Sequence, residues 1–400
     1  MTDFQAGFGR IEITPQHLGY SLLGYGNRQH GATAVHDPLW ARAMVVRQKR
    51  AAWALCSLDM CWVTAETVAR IRQLVSEQTK LRPEAVLIVA THTHSGPSDL
   101  EAGNWDRPLA ELVTAAIVQA WEGLQPARLA TGAGFLYGHS LNRRWFERPV
   151  DPGVGLLRVD SAEGALLGQV VNFGCHPVVL GSDNYQLSAD FVGYGLERVE
   201  KSLGGVCLFT NGACGDINPL TDTVRAQLAE RRSFTTMVPD VRYYGQDERP
   251  VSIGDRQGGT FVEAKHLGEA LADEVIYIAQ GLTATEPERP PWSAQAQVNH
   301  VDQGEELIET QAVGVGDFAL VAQPGEVFVE TGLEIKANLR RRGYRYPWLV
   351  SYANDWQLYL APEVAFPEGG YEVNRAEEMN HSPQLQARLW GAIEDKLPGA

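Results

Sequence analysis

The 400-residue sequence predicts an α/β fold in which helices cover β-sheets. Short apolar segments rich in β-branched residues alternate along the chain with segments of helical periodicity. Hydrophobic residues make up 44% of the chain, enough to bury a large core. The length allows two or three domains or one large domain. Because no convincing linker interrupts the alternation, we predict one domain over residues 1–400, with 220–259 as a lid or insertion.

The elements follow from local composition and periodicity. Strands are predicted for the short apolar segments 41–46, 53–58, 85–90, 156–159, 169–173, 206–210 and 318–322. The first two of these form a hairpin around residues 48–50. Helices are predicted where apolar residues recur at helical spacing, over 65–78, 109–124, 190–202, 261–280, from about Glu326 to Arg341, and 383–396.

Charge and cysteine content restrict the partners and the compartment. Lys and Arg total 34 against 49 Asp and Glu, so the net charge is −15 and nucleic acid is not an expected partner. No apolar run approaches the roughly 20 residues of a membrane span. The five cysteines are odd in number and form no CxxC pair, which favours a reducing compartment. With no signal-peptide pattern at the start, we expect a cytoplasmic location.

Residues 91–97 carry the strongest candidate chemistry. They read THTHSGP and follow the predicted strand 85–90 directly. Residues two apart at a strand end point to the same face, so His92 and His94 can approach one site. Both imidazoles could bind zinc, or one could bind while the other transfers protons. The alternative is a polar loop whose histidines cap backbone groups.

Three further segments also follow predicted strands and end in polar residues. His176 follows strand 169–173, Asp216 and Asn218 follow strand 206–210, and Glu326 follows strand 318–322 at a predicted helix start. Each alone also fits an ordinary turn or a helix-end charge. Tyr359 and Tyr371 lie farther on, in segments where packing roles are common. Long separations between ligand candidates are typical of catalytic metal sites, although spacing alone does not decide the matter.

The segment 91–97 resembles the signature of the neutral/alkaline non-lysosomal ceramidases. The resemblance continues in order through residues 9–15, 36–43, 142–143, 176–177, 188–190, 215–216 and 324–326. It covers nearly the whole chain at the level of that family's catalytic domain, without the additional C-terminal immunoglobulin-like domain of family members. It implies mixed β-sheets packed together and flanked by helices.

The resemblance also implies a zinc amidase that cleaves N-acyl bonds. The implied zinc ligands are His92, His176, Glu326 and Tyr359. A second family tyrosine matches Tyr371, and His94 and Arg143 match other polar active-site residues. Asn218 stands where the family has serine, so a serine-type nucleophile at this position is excluded. Because the sequence shows no apolar membrane-docking segment, we expect a small N-acyl compound rather than ceramide.

The resulting hypothesis is a zinc-activated water that attacks an amide carbonyl. Tyr371, Tyr359 or Arg143 would polarise that carbonyl, and His94 would deliver a proton to the leaving amine. Asp216 and Asn218 would orient the leaving group or the acyl portion.

Three alternatives stay open. They are a zinc esterase or lactonase on the same scaffold, a barrel-type amidohydrolase, and a non-catalytic zinc-binding or ligand-binding relic. Two strands and a helix precede the strand that leads to the histidine pair, whereas the barrel expects the pair near its first strand. The substrate would be an N-acyl amide or ester, and a homo-oligomer is compatible with the sequence.

Overall fold

A computed structural model of the chain describes residues 3–99, 105–144, 148–231, 258–301 and 306–399. The strands that these residues form are β1 Phe4–Glu12, β2 Ala34–Val35, β3 Trp40–Gln48, β4 Ala51–Leu58, β5 Val86–Ala90, β6 Gln125–Phe135, β7 Ser140–Asn142, β8 Gly153–Ser161, β9 Leu166–Phe173, β10 Gln186–Leu187, β11 Val206–Asn211, β12 Ile217–Pro219, β13 Trp292–Asn299, β14 Leu307–Val315, β15 Phe318–Ala322, β16 Glu326–Val327, β17 Tyr346–Val350 and β18 Tyr359–Leu360.

The helices of the described residues are α1 Ala65–Gln78, α2 Leu109–Glu122, α3 Asp190–Leu203, α4 Asp222–Arg231, α5 Phe261–Gln280, α6 Val329–Arg341, α7 Tyr371–Glu378 and α8 Leu385–Glu394. Short 3-10 turns occupy Pro83–Ala85 and Glu363–Glu368. None of the helices in this described part of the chain is long and apolar enough to cross a bilayer.

Two mixed sheets form the centre of the fold. The larger has the strand order β11-β9-β8-β6-β1-β3-β4-β5, and the smaller has the order β13-β14-β15-β17. In both sheets antiparallel pairs dominate, while β4–β5, β9–β11 and β15–β17 are parallel. Mixed sheets packed together and flanked by helices were expected, and this part of the prediction is confirmed.

The two sheets pack face to face over a shared apolar core. Leu87, Leu157 and Leu208 from the larger sheet meet Leu320 and Val350 from the smaller one. Each of these side chains is removed from water, and burial of one such side chain stabilises the fold by roughly 1.5–3 kcal/mol. Strand β5 lies at one end of the larger sheet, but both of its faces are covered, so its sequence is a continuous apolar run instead of an alternating one.

Helices cover the outer faces of both sheets. Helices α1 and α2 pack on the β1–β5 half of the larger sheet, and α3 and α5 pack on its other half. Helices α6 and α8 cover the smaller sheet. The helix α5 begins with a capping box, in which Thr260 and Glu263 satisfy each other's backbone N–H groups. The layers are therefore helix, sheet, sheet and helix, and the loops at the strand ends remain available for a site.

Two predictions about local structure need correction or stay open. Glu326 does not begin a helix, because it lies in the short strand β16, and α6 begins three residues later at Val329. The predicted lid forms α4 in its first part, but its residues 232–257 lie outside the described residues. The assignment of 1–400 to one domain also stays a prediction.

Candidate metal centre

His92 lies two residues beyond the end of β5, in a backbone conformation that is rare for its residue type. Its φ angle is 70°, a left-handed conformation that costs about 1–3 kcal/mol and is common at functional sites. The Nδ1 atom lies 2.7 Å from the backbone oxygen of Cys61, which can only accept a hydrogen bond. Nδ1 therefore carries the proton, and Nε2 keeps a free lone pair. The ring stacks on Tyr352, with centroids 3.9 Å apart.

His176 follows the end of β9 and is held in the same way. Its Nδ1 atom lies 2.5 Å from the backbone oxygen of Cys214, so its Nε2 atom also carries a lone pair. The side chain is fully buried. Asn211 joins the ends of three strands by donating to the carbonyl oxygens of Thr91 and Cys175. This clamp brings the segments that carry His92 and His176 together.

The Glu326 carboxylate approaches the two histidines from strand β16, which pairs with β18. In the parallel pair β16–β18, Glu326 lies directly opposite Tyr359. The carboxylate Oε2 atom lies 2.9 Å from Nε2 of His176 and 3.8 Å from Nε2 of His92. Three side chains that are remote in sequence thus point at one buried place.

The donor atoms of this group fit a divalent cation. One ligand atom each from His92, His176 and Glu326 lies within 4.8 Å of the others. Burial lowers the pKa of both imidazoles to about 3, so both are neutral at pH 7, and burial also raises the pKa of Glu326. Nε2 of His176 and Oε2 of Glu326 are buried without a hydrogen-bond partner. A nitrogen–nitrogen–oxygen set of this kind is typical of catalytic zinc sites.

Tyr359 connects this group to a buried arginine. Arg143 Nη2 donates to the Tyr359 hydroxyl over 2.7 Å, and Arg143 Nε donates to Glu372 over 2.7 Å. Burial lowers the pKa of Arg143, but Tyr359 and the carboxylates of Glu372 and Glu326 outweigh it, so the pKa lies well above its ordinary value. Arg143 is therefore a fixed positive charge beside the metal-ligand candidates.

His94 lies beside the group without joining the His92, His176 and Glu326 set. Its Nε2 atom is 3.0 Å from Nε2 of His92, and its Nδ1 atom is buried without a partner. Burial and the two neighbouring imidazoles hold the pKa of His94 well below its usual range. Gly24 packs directly on the ring, since a Cβ atom at that position would lie 2.2 Å from it. A second possible metal-ligand set joins His94 to His92 and Cys61.

Tyr371 faces the same cleft, whereas Asp216 and Asn218 do not line it. The rings of Tyr371 and Tyr359 are in edge contact with centroids 5.7 Å apart. Asp216 is buried, and its two oxygens accept hydrogen bonds from Asn142 and from the backbone of Val329 at the start of α6. Asn218 accepts a hydrogen bond from Arg143.

The predicted substrate roles of Asp216 and Asn218 stay a prediction. Both residues hydrogen-bond to other parts of the site. Asp216 joins β7 to α6, and Asn218 reaches the cleft only through Arg143.

The cleft over the group has a volume of about 540 Å³. Trp62 stacks on Trp356 with centroids 4.5 Å apart, and Trp356 also approaches His92. Arg28, on the segment that follows Gly24, lines the cleft as well. Its volume suits a small ligand with an apolar portion.

Sequence reasoning missed several residues of the site. Glu372 directly follows the predicted Tyr371, so its position in the sequence was a usable signal. Arg28, Trp62 and Trp356 carry no recognisable motif. The carbonyl of Cys61 leaves no signal at all, because any residue supplies a backbone oxygen.

The fold and the donor set define a mixed α/β protein with a candidate metal centre at the base of a cleft. Residues 4–230 match the family model described as neutral/alkaline non-lysosomal ceramidase, N-terminal. Because the match covers more than half of the chain, this chain belongs to that family, as the sequence motifs predicted.

Individual relatives are distant in sequence. Neutral ceramidase B of Dictyostelium discoideum is 24% identical over 305 residues, which cover 66% of this chain and 42% of that protein. The neutral ceramidase of Pseudomonas aeruginosa is 24% identical over 247 residues, covering 54% of this chain and 37% of the relative. The matched regions thus span about two fifths of these relatives. The crystal structure of the Pseudomonas aeruginosa protein shares the fold, with a TM-score of 0.80 at 18% identity, over 100% of this chain and 75% of that one.

Proposed function

We propose that this chain is a zinc-dependent hydrolase that cleaves the C–N bond of an N-acyl amide. The observation that carries the proposal is the convergence of His92, His176 and Glu326 on one buried place that opens into the cleft. Membership of a family whose relatives are named neutral ceramidases supports the amide as substrate class.

Zinc would be held by His92, His176 and Glu326, with Tyr359 as a fourth ligand from the opposite strand. A bound zinc ion supplies a Lewis acid and lowers the pKa of a coordinated water to about 7. The backbone carbonyls of Cys61 and Cys214 fix the tautomers that present the two Nε2 lone pairs.

The remaining side chains act on the substrate. Burial and the Glu326 carboxylate raise the pKa of Tyr371, so its hydroxyl stays protonated at neutral pH and donates to the carbonyl oxygen. Arg143 lies behind Tyr359 and stabilises negative charge there. His94 is neutral at pH 7, because burial and the neighbouring imidazoles lower its pKa, and it would transfer a proton to the leaving amine. The aromatic pair of Trp62 and Trp356 would contact the acyl portion.

The test combines metal analysis with a substrate screen. Protein saturated with zinc is incubated with N-acyl amides, including ceramide, and with matching esters, and the released acid is quantified. We expect one equivalent of zinc and amide turnover, and His92→Ala should lose both. His266→Ala is the matched control, because His266 is exposed on α5 and does not line the cleft.

Other outcomes would contradict the proposal. Full activity of metal-free protein would show that the reaction does not require a metal. Ester turnover without amide turnover would favour the esterase alternative, and bound zinc without any turnover would favour the relic.

A further inference from the structure

Positive side chains outnumber carboxylates among the residues that line the cleft. The whole chain carries a net charge of −15, yet three arginines line the cleft against one carboxylate among the described residues, Glu326. Arg143 is paired with Glu372, and Arg375 is paired with Glu378. Arg28 is the third.

Arg28 differs from the other two arginines in its partners. Its guanidinium donates to the carbonyl oxygens of His94, Leu23 and Leu22 through Nη1 and to that of Gly181 through Nη2. Within the described part of the chain, no carboxylate lies within 4.0 Å of it. Asp183 acts on it only from a longer range.

These contacts hold the group in place without neutralising it. Carbonyl oxygens are dipoles, so they orient a guanidinium but leave its net charge uncompensated. The Nε atom has no hydrogen-bond partner, and Nη2 makes one contact of 3.4 Å. Nε and Nη2 together form the edge of an arginine that binds a carboxylate through two parallel hydrogen bonds. The buried Nε–H group without a partner and the weakly bound Nη2 group thus both lie on the carboxylate-binding edge of Arg28.

The position of Arg28 indicates which end of a substrate it would meet. Its shortest contact, 2.6 Å, is to the backbone oxygen of His94, the residue that would protonate the leaving amine. The apolar Trp62–Trp356 pair contacts the other histidine, His92, through Trp356. The Trp62–Trp356 pair and Arg28 therefore contact different histidines. This arrangement suits an acyl chain beside the tryptophans and a charged amine portion beside Arg28.

Given the proposed amide hydrolysis, on which this step rests, we propose that the substrate is an N-acylated amino acid and that Arg28 binds its carboxylate. A neutral amine portion of the same size leaves this guanidinium without a carboxylate partner. Arg28 then determines substrate specificity at the leaving-group end of the cleft.

The test compares two substrates that differ only in charge, N-dodecanoylglycine and N-dodecanoylglycinamide. For the zinc-loaded protein at low salt, kcat/KM for the glycine compound should exceed that for the glycinamide by roughly tenfold or more, as expected for a charge-assisted pair. Arg28→Met should bring this ratio close to one, and Arg28→Lys should give an intermediate ratio. Arg82→Met removes an exposed positive charge that pairs with Glu84, and it should keep the wild-type ratio.

The wild-type ratio alone can overturn the proposal, whether or not the variants fold. Equal kcat/KM values for the two compounds would refute it, and so would an unchanged ratio in Arg28→Met. If neither compound is cleaved, the proposed hydrolysis fails. Calorimetric measurement of binding then tests separately whether Arg28 binds a carboxylate. Tighter binding of N-dodecanoylglycine by the wild type than by Arg28→Met would then support the carboxylate site, and equal binding would exclude it.

Discussion

Replacing Glu372 with glutamine tests whether a buried ion cluster holds the site together. The Glu372 carboxylate is almost fully buried and accepts hydrogen bonds from Arg143 over 2.7 Å and from Arg144 over 3.0 Å. The substitution keeps the size of the side chain but removes its charge. Two buried guanidinium groups then lose the carboxylate that they share.

The expected loss follows from the two contacts. A hydrogen bond to a charged group contributes about 1.5–3 kcal/mol, and breaking a buried ion pair costs about 3–5 kcal/mol. Glutamine still supplies one acceptor oxygen, so we expect a decrease of about 3 kcal/mol in the free energy of unfolding. Glu197→Gln breaks an exposed pair with Lys201 and should change that free energy by less than about 1 kcal/mol.

Urea unfolding of the wild type and both variants at neutral pH measures these values. Burial raises the pKa of Glu372, but Arg143 and Arg144 outweigh burial, so the pKa lies below its ordinary value. A carboxylate of lowered pKa stabilises the fold above its unfolded pKa of about 4.3, and this contribution is lost as the pH falls through the folded value. The difference between wild type and Glu372→Gln should therefore shrink below about pH 4.3. A loss under 1 kcal/mol at neutral pH would refute the reasoning.

Two further substitutions test the site itself. Gly24→Ala should displace the His94 ring and lower kcat/KM about tenfold or more with zinc still bound. Gly19→Ala is the control, because Gly19 has a φ angle similar to that of Gly24 but open space around its Cβ position. Equal losses in the two variants would indicate backbone strain instead of a displaced ring. Tyr359→Phe removes the hydroxyl that accepts from Arg143 and should weaken zinc binding or turnover by roughly tenfold to a hundredfold. Unchanged zinc titration and kinetics would exclude a role for that hydroxyl.

Much of the fold could be predicted because local signals agreed with tertiary packing. The helices at 65–78 and 261–280 have the predicted bounds, since caps and apolar periodicity mark both. Strands β1, β6, β13 and β14 were not predicted. Several of these strands have partly exposed residues and glycine-containing segments, so their strand character depends on neighbours that are distant in sequence.

The candidate site was predictable where its metal-ligating side chains directly follow a buried strand. His92 and His176 stand directly after apolar runs, and the structure brings them together with Glu326 as the motif resemblance implied. The hydrogen bonds of Asp216 were not predictable, because a carboxylate that accepts from the start of a helix and one that contacts a ligand look the same in sequence. The backbone carbonyl partners of Arg28 could not be predicted either, since backbone carbonyls carry no sequence signal.

The pairing of β16 with β18 has a consequence for how distant homologues should be aligned. Only two residue pairs, Glu326 with Tyr359 and Val327 with Leu360, fix the relative position of two oxygen donors. A shift of one residue in either strand turns a side chain to the opposite face of the ladder. Insertions within the intervening helix or its loops leave this register intact, whereas a single insertion inside either dipeptide breaks it. An alignment of distant homologues should therefore preserve the register of these two short strands, whatever the length of the chain between them.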